Sequence, residues 1–174
     1  MKITKAEAKD YEAVMEIVHA TIKTIYPNYY PKEVVDFFLE FHSEESIKKD
    51  IEKEYVYLLT VGQHLVGTAS LEGGYIGRVY VLPEQQGKGY GKALMNHLEH
   101  MVSALHHISY VDASLPAYEF YLGLGYHPSE YHRFEVDNGR VLCYYVMEKE
   151  LKSRNNIDGE TLPAKGRKEV GNED

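Results

Sequence analysis

The segment Val79-Tyr80-Val81-Leu82-Pro83-Glu84-Gln85-Gln86-Gly87-Lys88-Gly89-Tyr90-Gly91-Lys92 holds the residues whose order points most directly to chemistry. A β-branched run leads into three alternate glycines, and an amphipathic pattern begins at once behind them. That order reads strand, glycine loop, helix N-terminus. The free N–H groups of a helix start, together with the positive end of its dipole, make such a loop an anion site. Glycine lets the backbone approach a phosphate with no Cβ between them. Side-chain charge adds little: Glu84 stands against Lys88 and Lys92, a net of +1, so backbone amides must carry most of the anion recognition.

Other reactive residue types are less informative. His97, His100, His106 and His107 invite a metal site, and His97 and His100 share a helix face. No cysteine or carboxylate completes a ligand set at a known spacing, so no metal is expected. Cys143, the single cysteine, excludes an internal disulfide. It lies in an apolar strand pattern, where a buried, inert thiol is expected. No serine has the context of a nucleophile elbow, so no covalent enzyme intermediate is expected.

The chain that must position the glycine loop has 174 residues, 44% of them hydrophobic and 26% charged, as expected of one soluble globular domain. The net charge of −8 argues against non-specific nucleic-acid binding and is compatible with a cationic acceptor. No stretch approaches the length of a membrane-spanning helix. Met1 to Lys5 lack the apolar run of a signal peptide, so the expected location is cytoplasmic.

Periodicity supplies the elements. Met1 to Ala6 reads as a strand. Asp10 is placed as the N-cap of a helix with Val14, Ile17, Val18, Thr21, Ile22 and Ile25 on its apolar face. Pro27 stops that helix, and Tyr26 to Tyr30 form a loop. Pro31 suits the first turn of a second helix, and Ser43-Glu44-Glu45 starts a third. Tyr55–Val61 and His64–Glu72 form a hairpin around Gly62-Gln63, followed by a strand over Tyr75–Val81. Behind the glycine loop, Leu94, Met95, Leu98, Met101, Val102 and Leu105 trace one helical face. Ile108 to Ala113 is a strand, Pro116 to Leu124 a short helix, and Arg133–Val136 with Val141–Met147 a last hairpin. Residues 152–174 carry five basic against five acidic residues and few apolar ones, and read as a polar tail outside the core. The order is mixed α+β, not regularly doubly wound.

Two segments carry a resemblance. Gln86-Gly87-Lys88-Gly89-Tyr90-Gly91 is similar to the Q/R-x-x-G-x-G/A acetyl-CoA signature of the GNAT acetyltransferase superfamily. Ala117-Tyr118-Glu119-Phe120-Tyr121-Leu122-Gly123-Leu124-Gly125-Tyr126 is similar to that family's A-x-x-F-Y-x-x-x-G-F/Y segment. The loop is not a P-loop, because Gly-Lys-Ser/Thr is missing. It also lacks the βαβ setting and ribose-binding acid of a dinucleotide fingerprint. The resemblance covers residues 1–151.

It implies a mostly antiparallel central sheet flanked by helices, splayed between its fourth and fifth strands to admit acyl-CoA. Pantetheine would run along backbone of Val79, Tyr80 and Val81, as an added strand does. The pyrophosphate would sit on the segment from Gln86 through Gly87, Lys88, Gly89, Tyr90 and Gly91 to Lys92. Tyr121 matches the family's general acid, acting on the leaving thiolate. Ser114 follows the fifth strand, where relatives contact CoA; a helix cap before Pro116 is the equal alternative. The implied reaction is direct attack by a primary amine, from a small molecule or a protein, on acetyl-CoA. A backbone N–H near Tyr80 or Val81 would stabilise the resulting oxyanion.

Relatives that carry a glutamate early in the fourth strand have no counterpart here, where the stretch reads Tyr75-Ile76-Gly77-Arg78. Glu72 is the nearest candidate base. Glu33 and His42 are expected to be solvated surface residues, and water acting through a backbone carbonyl is a further option. Tyr26, Tyr29 and Tyr30, and also Tyr131, His132 and Phe134, are candidates for the acceptor pocket or for aromatic packing. The missing carboxylate leaves open a non-catalytic acyl-CoA sensor. A homodimer is compatible with the resemblance.

Overall fold

Strand β2 (Val56–Val61) is buried on both faces, and its alternation divides the core in two. Val56 and Leu58 pack with Val18, Ile22, Val34 and Ile47 on one side. Tyr57 and Leu59 pack with Leu94, Met95, Leu98 and Met147 on the other. In a strand, neighbouring side chains point to opposite faces, so one short run seeds both layers. The computed structural model describes residues 1–152. The polar tail therefore lies outside the described residues, apart from Lys152.

Before β2 come β1 (Lys2–Lys5) and three helices, α1 (Tyr11–Ile25), α2 (Lys32–Phe41) and α3 (Glu44–Glu52). After it come β3 (His64–Glu72), β4 (Tyr75–Val81), α4 (Tyr90–Val102), β5 (Ile108–Ser114), α5 (Leu115–Gly123), β6 (His127–Val136) and β7 (Arg140–Glu150). The sheet order is β1-β2-β3-β4-β5-β7-β6. Every pairing is antiparallel except that of β4 with β5. These parallel strands share one register pair, Tyr75↔Tyr110, where the Tyr110 N–H donates to the Gly74 carbonyl (2.9 Å). Beyond it they part, and the sheet is open from Ile76 towards Val81.

Local signals fail at a few boundaries. Asp10 stands at the N-cap position of α1, but its side chain makes no cap bond to that helix; its carboxylate accepts from the Glu7 N–H (2.8 Å) and closes a 3-10 turn over Ala8–Asp10. Leu105 is 86% exposed, because α4 ends at Val102, short of the turn that Leu105 would have extended. The last hairpin is longer than its alternation suggests, since β6 pairs with β7 from His127 on while exposing most of its side chains. Cys143 is half-buried, not buried, and its sulfur accepts the Tyr131 hydroxyl (3.0 Å).

Candidate active site

Strand β4 sits between two cavities. Its register with β3 shifts between the pairs Thr68↔Tyr80 and Ser70↔Gly77, so Arg78 and Val79 together oppose Ala69. This is a β-bulge with its extra residue on β4. Arg78 takes φ +49°, a left-handed conformation that costs a non-glycine residue about 1–2 kcal/mol. A buried ion pair holds it: Arg78 Nη2 donates to Asp50 Oδ2 (2.8 Å) and Ser46 Oγ (3.1 Å) on α3. Burial pulls the guanidinium below its ordinary pKa, and the Asp50 carboxylate opposes that shift.

The bulge decides which amides face the opening. The Leu82 N–H donates to the Val66 carbonyl (3.0 Å). Antiparallel pairs alternate, so Tyr80 spends its backbone groups on Thr68, while those of Val79 and Val81 turn to the β5 side. The Val81 carbonyl is occupied there by Gln86 Nε2 (3.0 Å) and Thr21 Oγ1 (3.2 Å). Gln86 thereby ties the glycine loop to the strand end through its side chain.

One cavity, of about 380 Å³, runs from Val79 and Tyr80 along the glycine loop to Lys92, with Phe120 of α5 opposite. Gly87 and Gly89 have φ of +75° and +82°, and no atom lies within 4 Å of where their Cβ would stand. Backbone conformation, with open space in front of it, is what requires glycine here. Gly91 is constrained differently: a Cβ would meet the Phe120 ring at 3.1 Å, so its absence sets how closely α5 approaches α4. The first backbone bond of α4 runs from the Ala93 N–H to the Gly89 carbonyl (3.0 Å). Among the described residues, the six preceding amides, Gly87 to Lys92, have no acceptor. Lys88 turns its ammonium to Gln85 Oε1 (2.9 Å) instead. The site is thus a ring of backbone donors at a helix start, suited to a pyrophosphate.

The second cavity, of about 330 Å³, shares Tyr26, Val79, Tyr80 and Ala117 with the first. Its walls are largely aromatic, and Glu72, Asp112, His42 and Tyr121 also line it. Tyr121 is 4% exposed between Phe120 and Tyr126, and its hydroxyl has no partner among the described residues. Burial, then the neighbours Tyr26, Tyr126 and Asp112, push its hydroxyl well above the ordinary phenol value. The proton stays on, so Tyr121 presents a hydrogen-bond donor.

A buried polar chain crosses between the cavities. His42 Nε2 shares a hydrogen bond with the Tyr80 hydroxyl (3.0 Å), Tyr80 with Tyr26 (3.2 Å), and Tyr26 with Ser114 (3.2 Å). Ser114 stands at the N-cap position of α5, but its side chain does not cap that helix. The Tyr30 hydroxyl does so, accepting the Leu115 N–H at 2.7 Å. Tyr30 is buried and outside both cavity walls, and Tyr29 is exposed and also outside them. Of these three tyrosines only Tyr26 reaches the site. Glu33 lies at the last hairpin, accepting from Asn138 (3.2 Å) and facing Arg140. Phe134 packs on Phe37 and His132 stacks on Tyr144, outside both cavities.

His42 corrects the surface expectation: it is 7% exposed and lines the acceptor-side cavity. The C-terminal end of α2 carries it inwards, a position that helical spacing alone does not reveal. Desolvation, then the nearby charges of Arg78 and His19, lower its pKa to about 3 from 6.5. Between those values the unfolded chain binds the extra proton, so acidification destabilises the fold. Through this group, stability at pH 5 should be about 2 kcal/mol lower than at pH 8. Urea titrations of His42→Gln should show that part of the slope removed; an unchanged slope would contradict a buried neutral imidazole.

With this geometry in view, comparison with known proteins is direct. The family model "Acetyltransferase (GNAT) domain" matches residues 25–151, and the chain belongs to that family. A GCN5-related N-acetyltransferase from Rhodopseudomonas palustris superposes with a TM-score of 0.79 at 26% identity, over 86% of this chain and 95% of its own. The PaiA N-acetyltransferase of Thermoplasma acidophilum, solved with coenzyme A, gives 0.68 at 19% identity, over 86% and 98%. YncA of Salmonella typhimurium, a putative acetyltransferase solved with acetyl-CoA, gives 0.59 at 20%, over 94% and 98%. The last two establish a shared fold. No curated protein matches the chain. Among the described residues, no helix is long and apolar enough to cross a membrane.

Proposed function

We propose that this protein is an N-acetyltransferase that moves an acetyl group from acetyl-CoA to a primary amine by direct attack. One observation carries the reading: a cavity ending on six amides that have no partner among the described residues meets, at Val79 and Tyr80, a second cavity holding a tyrosine hydroxyl likewise without one. The first suits the diphosphate and arm of the donor, and the second suits an acceptor. The named relatives, two of them solved with CoA or acetyl-CoA, support the donor assignment.

The donor would bring a thioester, an activated acyl group with a good leaving sulfur. The chain's own residues do the rest. Amides 87 to 92 and Gln86 hold the donor's anionic end. The Val79 and Val81 backbone edge receives its extended arm, and a Val79 or Val81 N–H would face charge developing at the carbonyl oxygen. Tyr80 is less suited to that role, because its amide faces β3. Tyr121 steadies the departing sulfur by hydrogen bonding. Ser114 fixes Tyr26, and through it Tyr80, between the two cavities. Proton acceptance falls to a carboxylate of the acceptor cavity, Glu72 or Asp112, both solvent-exposed.

The deciding experiment incubates the protein with acetyl-CoA and a panel of primary amines and measures free thiol. Acceptor-dependent release is expected. Tight CoA binding without release across a broad panel would favour a sensor module instead. Tyr121→Phe should lower turnover about 100-fold while leaving CoA affinity within about twofold, because its hydroxyl has no ground-state partner to lose. An unchanged rate would remove Tyr121 from the mechanism.

A further inference from the structure

Asp112 is a solvent-exposed carboxylate that lines the acceptor cavity and that neither motif contains. It lies on β5, two residues before Ser114, and alternation puts both on one face. Ser114 bonds Tyr26 on that face, so the face looks into the cavity. Among the described residues, no hydrogen bond or ion pair engages the Asp112 carboxylate. Arg78, the cation lining this cavity, is already bound to Asp50, and His132 is bound to Glu130 (2.9 Å). The groups facing Asp112 are Tyr75 from β4, Tyr110 beside it on β5, Tyr121 from α5, Glu130 and His132 from β6, and Tyr144 from β7. Most are phenols; partial desolvation pushes the Asp112 carboxyl above its ordinary value, and His132 opposes that shift. Glu72, the other carboxylate of the cavity, is solvent-exposed as Asp112 is; Asp112 differs in sharing a strand face with Ser114 and in acting on Tyr121, which Glu72 does not.

We propose that Asp112 binds the acceptor as a primary ammonium carried on an apolar or aromatic body, and takes the proton that frees its nitrogen lone pair. The cavity supplies both halves of this recognition. Phe38, Phe41, Tyr75 and Tyr80 offer apolar and π surface, and Asp112 offers a carboxylate with no hydrogen bond or ion pair among the described residues. The proton balance is complete. The ammonium gives one proton to Asp112. The nitrogen forms the C–N bond as the C–S bond breaks, and the sulfur keeps that electron pair. The nitrogen's second proton goes to the sulfur beside the Tyr121 hydroxyl, and Asp112 returns its proton to solvent. A carboxylate on β5 thus serves where β4 offers none.

The inference rests on the acyl-transfer reading, so the test has a binding arm that does not need turnover. Phenethylamine is titrated calorimetrically into the full-length protein at pH 7.5. Binding is expected for the wild type, with its dissociation constant raised at least about 10-fold in Asp112→Asn and largely restored in Asp112→Glu. 2-Phenylethanol should bind equally weakly to all three. In the kinetic arm, with acetyl-CoA, Asp112→Asn should lower kcat/KM about 100-fold and abolish the carboxylate limb of the pH profile while CoA affinity holds. Phenethylamine that fails to bind, binds Asp112→Asn as well as wild type, or loses affinity in Glu72→Gln instead would overturn the assignment. Ammonium binding without thiol release would preserve the Asp112 anchor and remove its proton-accepting role together with the transferase reading.

Discussion

Gly89→Glu abolishes donor binding, with the dissociation constant for CoA rising at least ~100-fold. Two effects act together. The φ of +82° at Gly89 is one that L side chains rarely adopt, and a carboxylate there would enter the ring of amides built to receive another anion. Gly89→Ala separates them, because it carries the conformational strain without the charge and should weaken binding far less. The open space at Gly89 means that the added Cβ itself meets no other atom, so the Ala variant isolates the backbone strain. Calorimetric titration with CoA measures both. Native affinity in Gly89→Glu would take the glycine loop out of the donor site.

Asp50→Ala is the largest expected loss of stability, about 3 kcal/mol in denaturant unfolding. The Arg78 side chain is 6% exposed, so removing its partner leaves a buried guanidinium uncompensated, whereas the intact pair is far less costly. Asp50 is 28% exposed, which keeps the expectation at the lower end for buried pairs. Arg78→Gly offers a control, because it removes the charge and also relieves the left-handed strain. In an Arg78→Gly background Asp50→Ala should cost under about 0.5 kcal/mol, and the difference measures the coupling. Additive losses would mean that the pair does not hold the bulge. Turnover should fall with stability in Asp50→Ala, since the same bulge aims the Val79 amide.

The proposed donor half of the site is readable along the chain because it is contiguous. A strand end, three glycines and a helix start follow one another, and backbone amides from consecutive residues converge without help from distant segments. The second motif is contiguous too, and its Tyr121 lines the cavity that Asp112 also lines. The acceptor half is built otherwise. Tyr26 from the end of α1, His42 from the end of α2, Arg78 from β4 and Asp112 from β5 meet only when the layers close. In the sequence His42 looks like a surface residue at a helix terminus, and Asp112 like a polar residue in a strand. No local pattern separates them from Glu33, which folds to the far hairpin, or Tyr29, which stays in solvent.

The bulge shows the same division. Tyr75-Ile76-Gly77-Arg78 announces no carboxylate, and nothing in it announces that Arg78 takes a left-handed turn. That conformation is favourable only because α3 places Asp50 and Ser46 against the guanidinium. It in turn sets which strand edge faces the cleft.

By itself, then, the sequence determined the mixed α+β order and the family, and it located the glycine loop proposed as the donor's anion site. Periodicity and glycine placement are short-range properties of a chain. Only the tertiary structure decided which tyrosines line the cavities, that His42 is buried and neutral, and that a carboxylate on β5 lines the same cavity as Tyr121. Burial, unpaired charge and desolvation exist only after segments far apart in sequence have packed together.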